Sequence, residues 1–163
     1  MRQTDRKISI VMVDHDEDDS FIIREALGES ELDHTLRIIG SGRECIEYLR
    51  GRGKYEGLDP QYPDLILLEL HMPDVDGREV LREIRNDQEL SHLDVVVLTD
   101  ATDRSELLEC YKLGATAVFM KGQWLDTFAE IIRTSGPYWF KFVTFQLGPV
   151  SHESNSRPNV RGL

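Results

Sequence analysis

Long apolar runs are missing from this chain, and so are clusters of positive charge. No stretch approaches the roughly eighteen consecutive apolar residues of a membrane-crossing helix, and no basic segment leads into an apolar one as in a secretory leader. The expectation is a cytoplasmic protein with no membrane partner. Lysine and arginine number 19 against 30 aspartates and glutamates, a net charge of −11, which disfavours binding to nucleic acid through bulk electrostatics. Cysteine is scarce: Cys45 and Cys110 fall in predicted helices without C-x-x-C spacing and read as buried free thiols of a reducing compartment. No glycine-rich phosphate loop follows the first apolar run, which weakens the reading of an unrelated enzyme or cofactor carrier.

What the chain does hold is organised around residues 63–77. Residues 65–68 are Leu-Ile-Leu-Leu, bounded by Pro63 in front and a Pro/Asp/Gly loop behind. That is how a strand buried on both faces of a parallel sheet reads. Its carboxyl end lands on Glu69, and in open α/β sheets ligands and chemistry gather at the carboxyl ends of strands. A second buried strand, residues 8–13, runs straight into Asp14-His15-Asp16-Glu17-Asp18-Asp19. A helix is predicted from about Asp18 to Leu27 with Ile22, Ile23 and Ala26 inward, then a short strand at 36–39. Ser41 or Gly42 starts a helix carrying Cys45, Ile46 and Leu49, which ends in a long loop at 51–62. After the central strand come a helix through Val80, Leu81 and Ile84, and a strand at 95–98 ending at Thr99. A helix with Leu107, Leu108 and Tyr111 stops at Gly114. The fifth strand, 117–120, ends at Lys121, and Leu125, Phe128 and Ile132 give the last helix its inward stripe.

Strands alternating with helices imply right-handed βαβ units, here a doubly wound, flavodoxin-like α/β fold whose five-stranded parallel sheet has order 2-1-3-4-5. That order makes strands one and three neighbours, so Asp14, His15 and Asp16 meet Glu69, with Thr99 and Lys121 close by. Crowded carboxylates repel unless a cation neutralises them, and Lys121 or a hard divalent ion such as Mg²⁺ would serve. Two readings follow from these residues. One is a carboxylate that accepts a phosphoryl group beside a metal, a hydroxyl and a lysine. The other is a solvated acidic loop with Glu69 simply paired to Lys121.

Leu70-His71-Met72-Pro73-Asp74-Val75-Asp76-Gly77, together with Thr99 and Lys121, resembles the response-regulator receiver domains of two-component signalling over about residues 7–134. The 51–62 loop, residues 77–84 and the aromatic tail are most similar to the stand-alone regulators associated with phytochromes. The resemblance implies a phosphoacceptor at position 69, a switch hydroxyl at Thr99, a phosphoryl-holding lysine at Lys121 and an acidic pair at 14 and 15 whose second member binds Mg²⁺. The departures fall in that same circuit. Glu69 stands for the family's aspartate, His15 for the metal-binding acid, Val118 for the aromatic switch and Gly122 for the proline after the lysine. The resulting expectation is a pseudo-receiver, not an enzyme, that needs no cofactor and acts through protein contacts, since no output domain follows. Any Mg²⁺ would fall to Asp14, Glu69 and the His71 backbone. A regulator phosphorylated on Glu69 or Asp16 by a phytochrome-type histidine kinase stays open, as does an engineered Asp-to-Glu mimic. His15 reads either as a pH-responsive group or as a surface histidine paired with an acid.

Residues 7–135 complete the receiver. Residues 136–147 form an aromatic arm with Tyr138, Trp139, Phe140, Phe142, Val143 and Phe145, expected to be extended and to pack on a second copy, with Trp124 beside it. The competing reading folds the arm back on its own domain. Residues 148–163, rich in Ser, Asn, Pro and Gly, are expected to be a flexible tail.

Overall fold

A computed structural model describes residues 6–58, 62–100, 102–122 and 125–141. Its strands are β1 (Ile8–Val13), β2 (His34–Ile39), β3 (Leu65–Glu69), β4 (Val95–Thr99) and β5 (Ala117–Met120). All neighbours pair in parallel, in the order β2-β1-β3-β4-β5. The helices are α1 (Glu17–Glu29), α2 (Gly42–Arg50), α3 (Gly77–Asn86), α4 (Arg104–Lys112), α5 (Leu125–Ser135) and α6 (Pro137–Lys141).

The apolar runs form strands because both faces of the sheet are covered. Every residue of β3 and β4 is buried, and the period-two alternation of a strand divides them between two cores. Val13, Ile66, Leu68 and Val97 pack with Cys45 and Leu49 of α2 and with Val80, Leu81 and Ile84 of α3. Ile10, Met12, Leu67 and Val96 pack with Ile23 and Leu27 of α1 and with Phe128 and Ile132 of α5. Burial contributes about 1.5–3 kcal/mol for each such side chain, so these two faces fix the register. Cys45 and Cys110 are buried free thiols.

Helix starts are set by capping. Asp16 is the N-cap of α1, its carboxylate accepting from the amides of Asp18 (2.9 Å) and Asp19 (3.2 Å), so α1 begins ahead of Asp18 and runs past Leu27. Ser41 caps α2 in the same way. In the 51–62 loop a single 3₁₀ turn at Gly53–Tyr55 packs Tyr55 edge-on against Tyr48 at 5.1 Å.

The C-terminal arm is not extended over its described part. Gly136 leaves α5 with φ +52° while its amide still bonds the Ile132 carbonyl, and Pro137 then stands at a helix start, where its fixed φ fits. The chain therefore turns back as α6. Trp139 is 3% exposed and lies edge-on to Phe128 at 6.1 Å, so it belongs to its own domain's core and not to a dimer arm. Tyr138 is 76% exposed, and Phe140 packs partly against the same core. Trp124, Phe142, Val143, Phe145 and residues 148–163 lie outside the described residues.

Two glycines should respond to alanine with opposite signs. A Cβ on Gly77 would sit 2.5 Å from the Glu69 carbonyl oxygen and 2.8 Å from Leu70 Cα, both backbone atoms that cannot swing away. Gly77→Ala is expected to destabilise by about 1–3 kcal/mol. Gly28, exposed on α1 with nothing within 4 Å of its Cβ position, should gain about 0.5–1 kcal/mol on becoming alanine. Urea unfolding of the two variants measures both, and a neutral Gly77→Ala would contradict the close approach.

Candidate functional site

Three strand ends build the site. β1 delivers Asp14, β3 ends on Glu69, and β5 leads into Lys121, whose amide donates to the Thr99 carbonyl at 2.7 Å. Asp14, Glu69, Thr99 and Lys121 are all buried. The Lys121 ammonium lies 3.0 Å from Asp14 Oδ2 and 2.6 Å from Asp19 Oδ2, and it is in direct contact with Glu69 Oε2. One ammonium thus faces three carboxylates. The other oxygens have fixed partners: Asp14 Oδ1 accepts from the Asp16 amide at 2.9 Å, and Glu69 Oε1 from the His71 amide at 3.2 Å.

The electrostatics follow from burial. Desolvation pushes the Glu69 and Asp14 carboxyls above their ordinary values, and hydrogen bonds to and the charge of Lys121 only partly offset it. For Glu69 the Asp14 charge adds to the rise, and for Asp14 the Asp19 charge does. Burial also pulls on Lys121, but hydrogen bonds to Asp19 and Glu69 and the charges of Glu69 and Asp14 outweigh it and hold the ammonium above the usual lysine range. The site is an ammonium clamp in which one buried cation faces three carboxyl groups.

Other predicted site residues fall elsewhere. Asp16 is exposed and spent on the α1 cap, so it leaves the acidic pocket. His15 is exposed and takes part in none of the ion pairs among the described residues. Val118 is half-buried on β5, and its amide donates to the Tyr111 hydroxyl at 3.3 Å, so the aromatic ring at this edge comes from α4. Thr99 closes β4 beside the clamp.

Three contributors were missed in the sequence. Asp19 looks in the sequence like one member of an acidic run, although it precedes the buried Ile23 by four and Ala26 by seven positions and so shares the inward face of α1. Asp74 looks in the sequence like part of a plain turn, yet it accepts from Ser41 Oγ at 2.5 Å and from the amides of Gly42 and Arg43. Partial desolvation opposes this, but those bonds and the Val75 amide pull its carboxyl down to about 2. Arg78 joins α3 to Glu106 at 2.5 Å and to Glu109 at 3.2 Å on α4. No signal in a single sequence marks these two long-range contacts.

A divalent cation does not fit this donor set. The lysine ammonium already contacts the carboxylates, exposed His15 offers an imidazole nitrogen where a hard ion wants oxygen, and no group of three or more His, Cys, Asp or Glu side chains among the described residues is arranged to hold a metal. No helix among the described residues is long and apolar enough to cross a membrane.

Comparison with known proteins gives a consistent picture. The response regulator receiver domain family matches residues 10–133. Response regulator Rcp1 of Synechocystis sp. is 33% identical over 135 residues, covering 83% of this chain and 90% of that protein. The phosphorylated cyanobacterial phytochrome response regulator RcpA superposes with a TM-score of 0.74 at 31% identity, covering 86% of this chain and 96% of that one. The Mn²⁺-bound form of Rcp1 gives 0.71 at 31% identity, covering 86% and 94%.

The clamp predicts non-additive mutational energies. Lys121→Ala leaves the buried carboxylates of Asp14 and Glu69 facing each other and the half-buried Asp19, and is expected to destabilise by about 3–5 kcal/mol. Adding Glu69→Gln removes one of those charges and should return part of the loss. Chemical unfolding of the single and double variants measures this, and equal losses would show that Glu69 and Lys121 are not energetically paired.

Proposed function

The chain belongs to the response regulator receiver domain family, and from that premise we propose that it is a pseudo-receiver of phytochrome-type two-component signalling, working by protein contact without aspartyl phosphorylation. The observation that carries this reading is the direct contact between Glu69 and the Lys121 ammonium. In the family a shorter aspartate takes the phosphoryl group and the lysine holds it. One extra methylene brings this carboxylate onto the lysine, with no room for a bridging group, and near-attack geometry tolerates little displacement. Glu69 is also 1% exposed, so a phosphodonor has no approach to it without opening the clamp. His15 removes the oxygen ligand on which the family's metal depends. The protein binds and does not catalyse, and its upstream partner is a phytochrome-type histidine kinase.

A phosphorylatable regulator is the second reading, favoured by the phosphorylated and Mn²⁺-bound states of the two similar structures. Incubation with acetyl phosphate and Mg²⁺, read by intact mass, separates the two. The expected result is no phosphoryl gain for the intact chain. A stable gain lost in Glu69→Gln would overturn the pseudo-receiver. Labelling restored by Glu69→Asp alone would place the defect in the acceptor and leave the metal site competent.

The chain also acts as a homodimer on this reading. Tyr138 stands on α6 with most of its ring in water, and the apolar residues Phe142, Val143 and Phe145 follow it in sequence, a composition suited to an interface between two copies. Light scattering is expected to give twice the monomer mass at micromolar concentration, falling toward monomer in Tyr138→Asp. A monomeric intact chain would refute the dimer.

A further inference from the structure

The two edges of the sheet are finished differently. At β5 the Val118 amide donates to the Tyr111 hydroxyl at 3.3 Å, so a side chain of α4 caps that edge. At β2, the other edge, no such cap stands among the described residues. The Ile8 amide donates to the Asp33 carbonyl and the Asp14 amide to the Ile39 carbonyl, so the odd-numbered positions of β2 turn their backbone groups toward β1. By the two-residue alternation of a strand, the amides and carbonyls of His34, Leu36 and Ile38 face outward. No hydrogen bond among the described residues uses them.

A cation is held at this edge. Arg37 is exposed, and its guanidinium lies over Tyr48 of α2, 4.9 Å from the ring centre, and 5.9 Å from that of Tyr55. The two rings are themselves fixed, edge-on at 5.1 Å, with the Tyr55 hydroxyl donating to Glu44 Oε1 at 2.7 Å. Stacking uses the face of a guanidinium and leaves the N–H groups around its rim free. Among the described residues Arg37 makes no ion pair, whereas neighbouring Lys54 is spent on Glu44 at 2.6 Å. In a chain of net charge −11, Arg37 is a positioned cation with its hydrogen-bonding rim unused.

We propose that the β2 edge is a docking site for an extended acidic segment of a partner protein, which adds beside β2 as a sixth strand and sets a Glu or Asp carboxylate against Arg37. In strand addition the main chain supplies affinity and the side chains selectivity. Charge chooses the occupant. A second copy would bring another Arg37 to the seam, where like charges repel, while a carboxylate meets a planar guanidinium that takes it bidentately. The proposal does not depend on the proposed function, because this edge lies two strands away from Glu69.

The test uses the full chain, labelled with ¹⁵N, and two short synthetic peptides, one alternating glutamate with valine and the other lysine with valine. Hydrogen exchange of the amides of residues 34, 36 and 38 is followed by NMR at physiological salt, which screens the overall charge beyond about 8 Å. In the protein alone these amides are expected to exchange faster than those of Thr35 and Arg37. The glutamate peptide at ten times its Kd, measured from shifts of the same signals, should slow them about tenfold, and the lysine peptide should not. Arg37→Glu should reverse that preference. If Arg37→Glu does not fold, Arg37→Gln, which keeps most of the stem, should lose the response to the glutamate peptide. The site is overturned if millimolar glutamate peptide slows none of the three amides, if both peptides slow them equally, or if the substitution leaves the preference unchanged. It is also overturned if the three amides are already protected without peptide, since the edge would then be covered by this chain or a second copy. A phosphoryl gain in the acetyl phosphate assay would refute the pseudo-receiver and leave this result unaffected, since no phosphodonor enters it.

Discussion

Everything at the carboxyl edge of the sheet depends on where the Lys121 ammonium sits. It is buried, it has three carboxylate neighbours, and each neighbour arrives on a different element: Asp14 after β1, Asp19 on α1, Glu69 at the end of β3. Isolated burial of any one of these charges would cost several kcal/mol, so each is tolerable only because the others are present. Removing the cation frees three repelling acids, whereas removing an acid lowers the surplus negative charge. The lysine is therefore the member whose loss the fold tolerates least. It is also why the strand order matters chemically, since only adjacency of β1 and β3 brings Asp14 and Glu69 onto one ammonium.

The clamp is held in place by a loop tied at both ends. On one side Asp74 bonds Ser41 and the first amides of α2, a favourable place for an anion at a helix start. On the other, Gly77 approaches so closely that its amide reaches the Leu70 carbonyl at 2.7 Å, a spacing that leaves no volume for a side chain. Between these ties the His71 amide fixes Glu69 Oε1. The acidic loop is thus an ordered clip between α2 and α3, which accounts for the direction of the Asp74 shift as well as the position of Glu69.

Most of the fold was legible because parallel strands covered on both faces read as near-continuous apolar runs, as residues 10–13, 65–68 and 95–98 do. Of the site, the strand-end residues Asp14, Glu69, Thr99 and Lys121 were legible for the same reason, as each ends an apolar run. Asp16 and Asp19 were harder. In a run of acids, a cap and an inward face look alike until the helix start is fixed, and a shift of one residue rotates every side chain by about 100°. The arm misled through composition. Its apolar content reads as a sheet-like segment, but Gly136 and Pro137 set the backbone, and five residues sufficed to return Trp139 to its own core.

The substitutions at 69, 15 and 118 make sense as one physical change. A shorter acid at 69 would leave a gap before the lysine, which a phosphoryl group and a metal could fill with charges of both signs. On the proposed reading, lengthening the acid closes the gap with the lysine itself, a metal has no purpose there, and position 15 is free to leave the oxygen ligands. On that reading the pocket contents do not change and an aromatic ring at 118 has nothing to follow; valine packs against the core beside β4, and its amide donates to the Tyr111 hydroxyl from outside. Under the proposed function the clamp therefore sets one standing arrangement of α4. On α4, Glu106 Oε1 lies 2.8 Å from His71 Nε2 and 2.5 Å from Arg78 Nη2, so a single carboxylate oxygen meets two groups from the 70–78 segment.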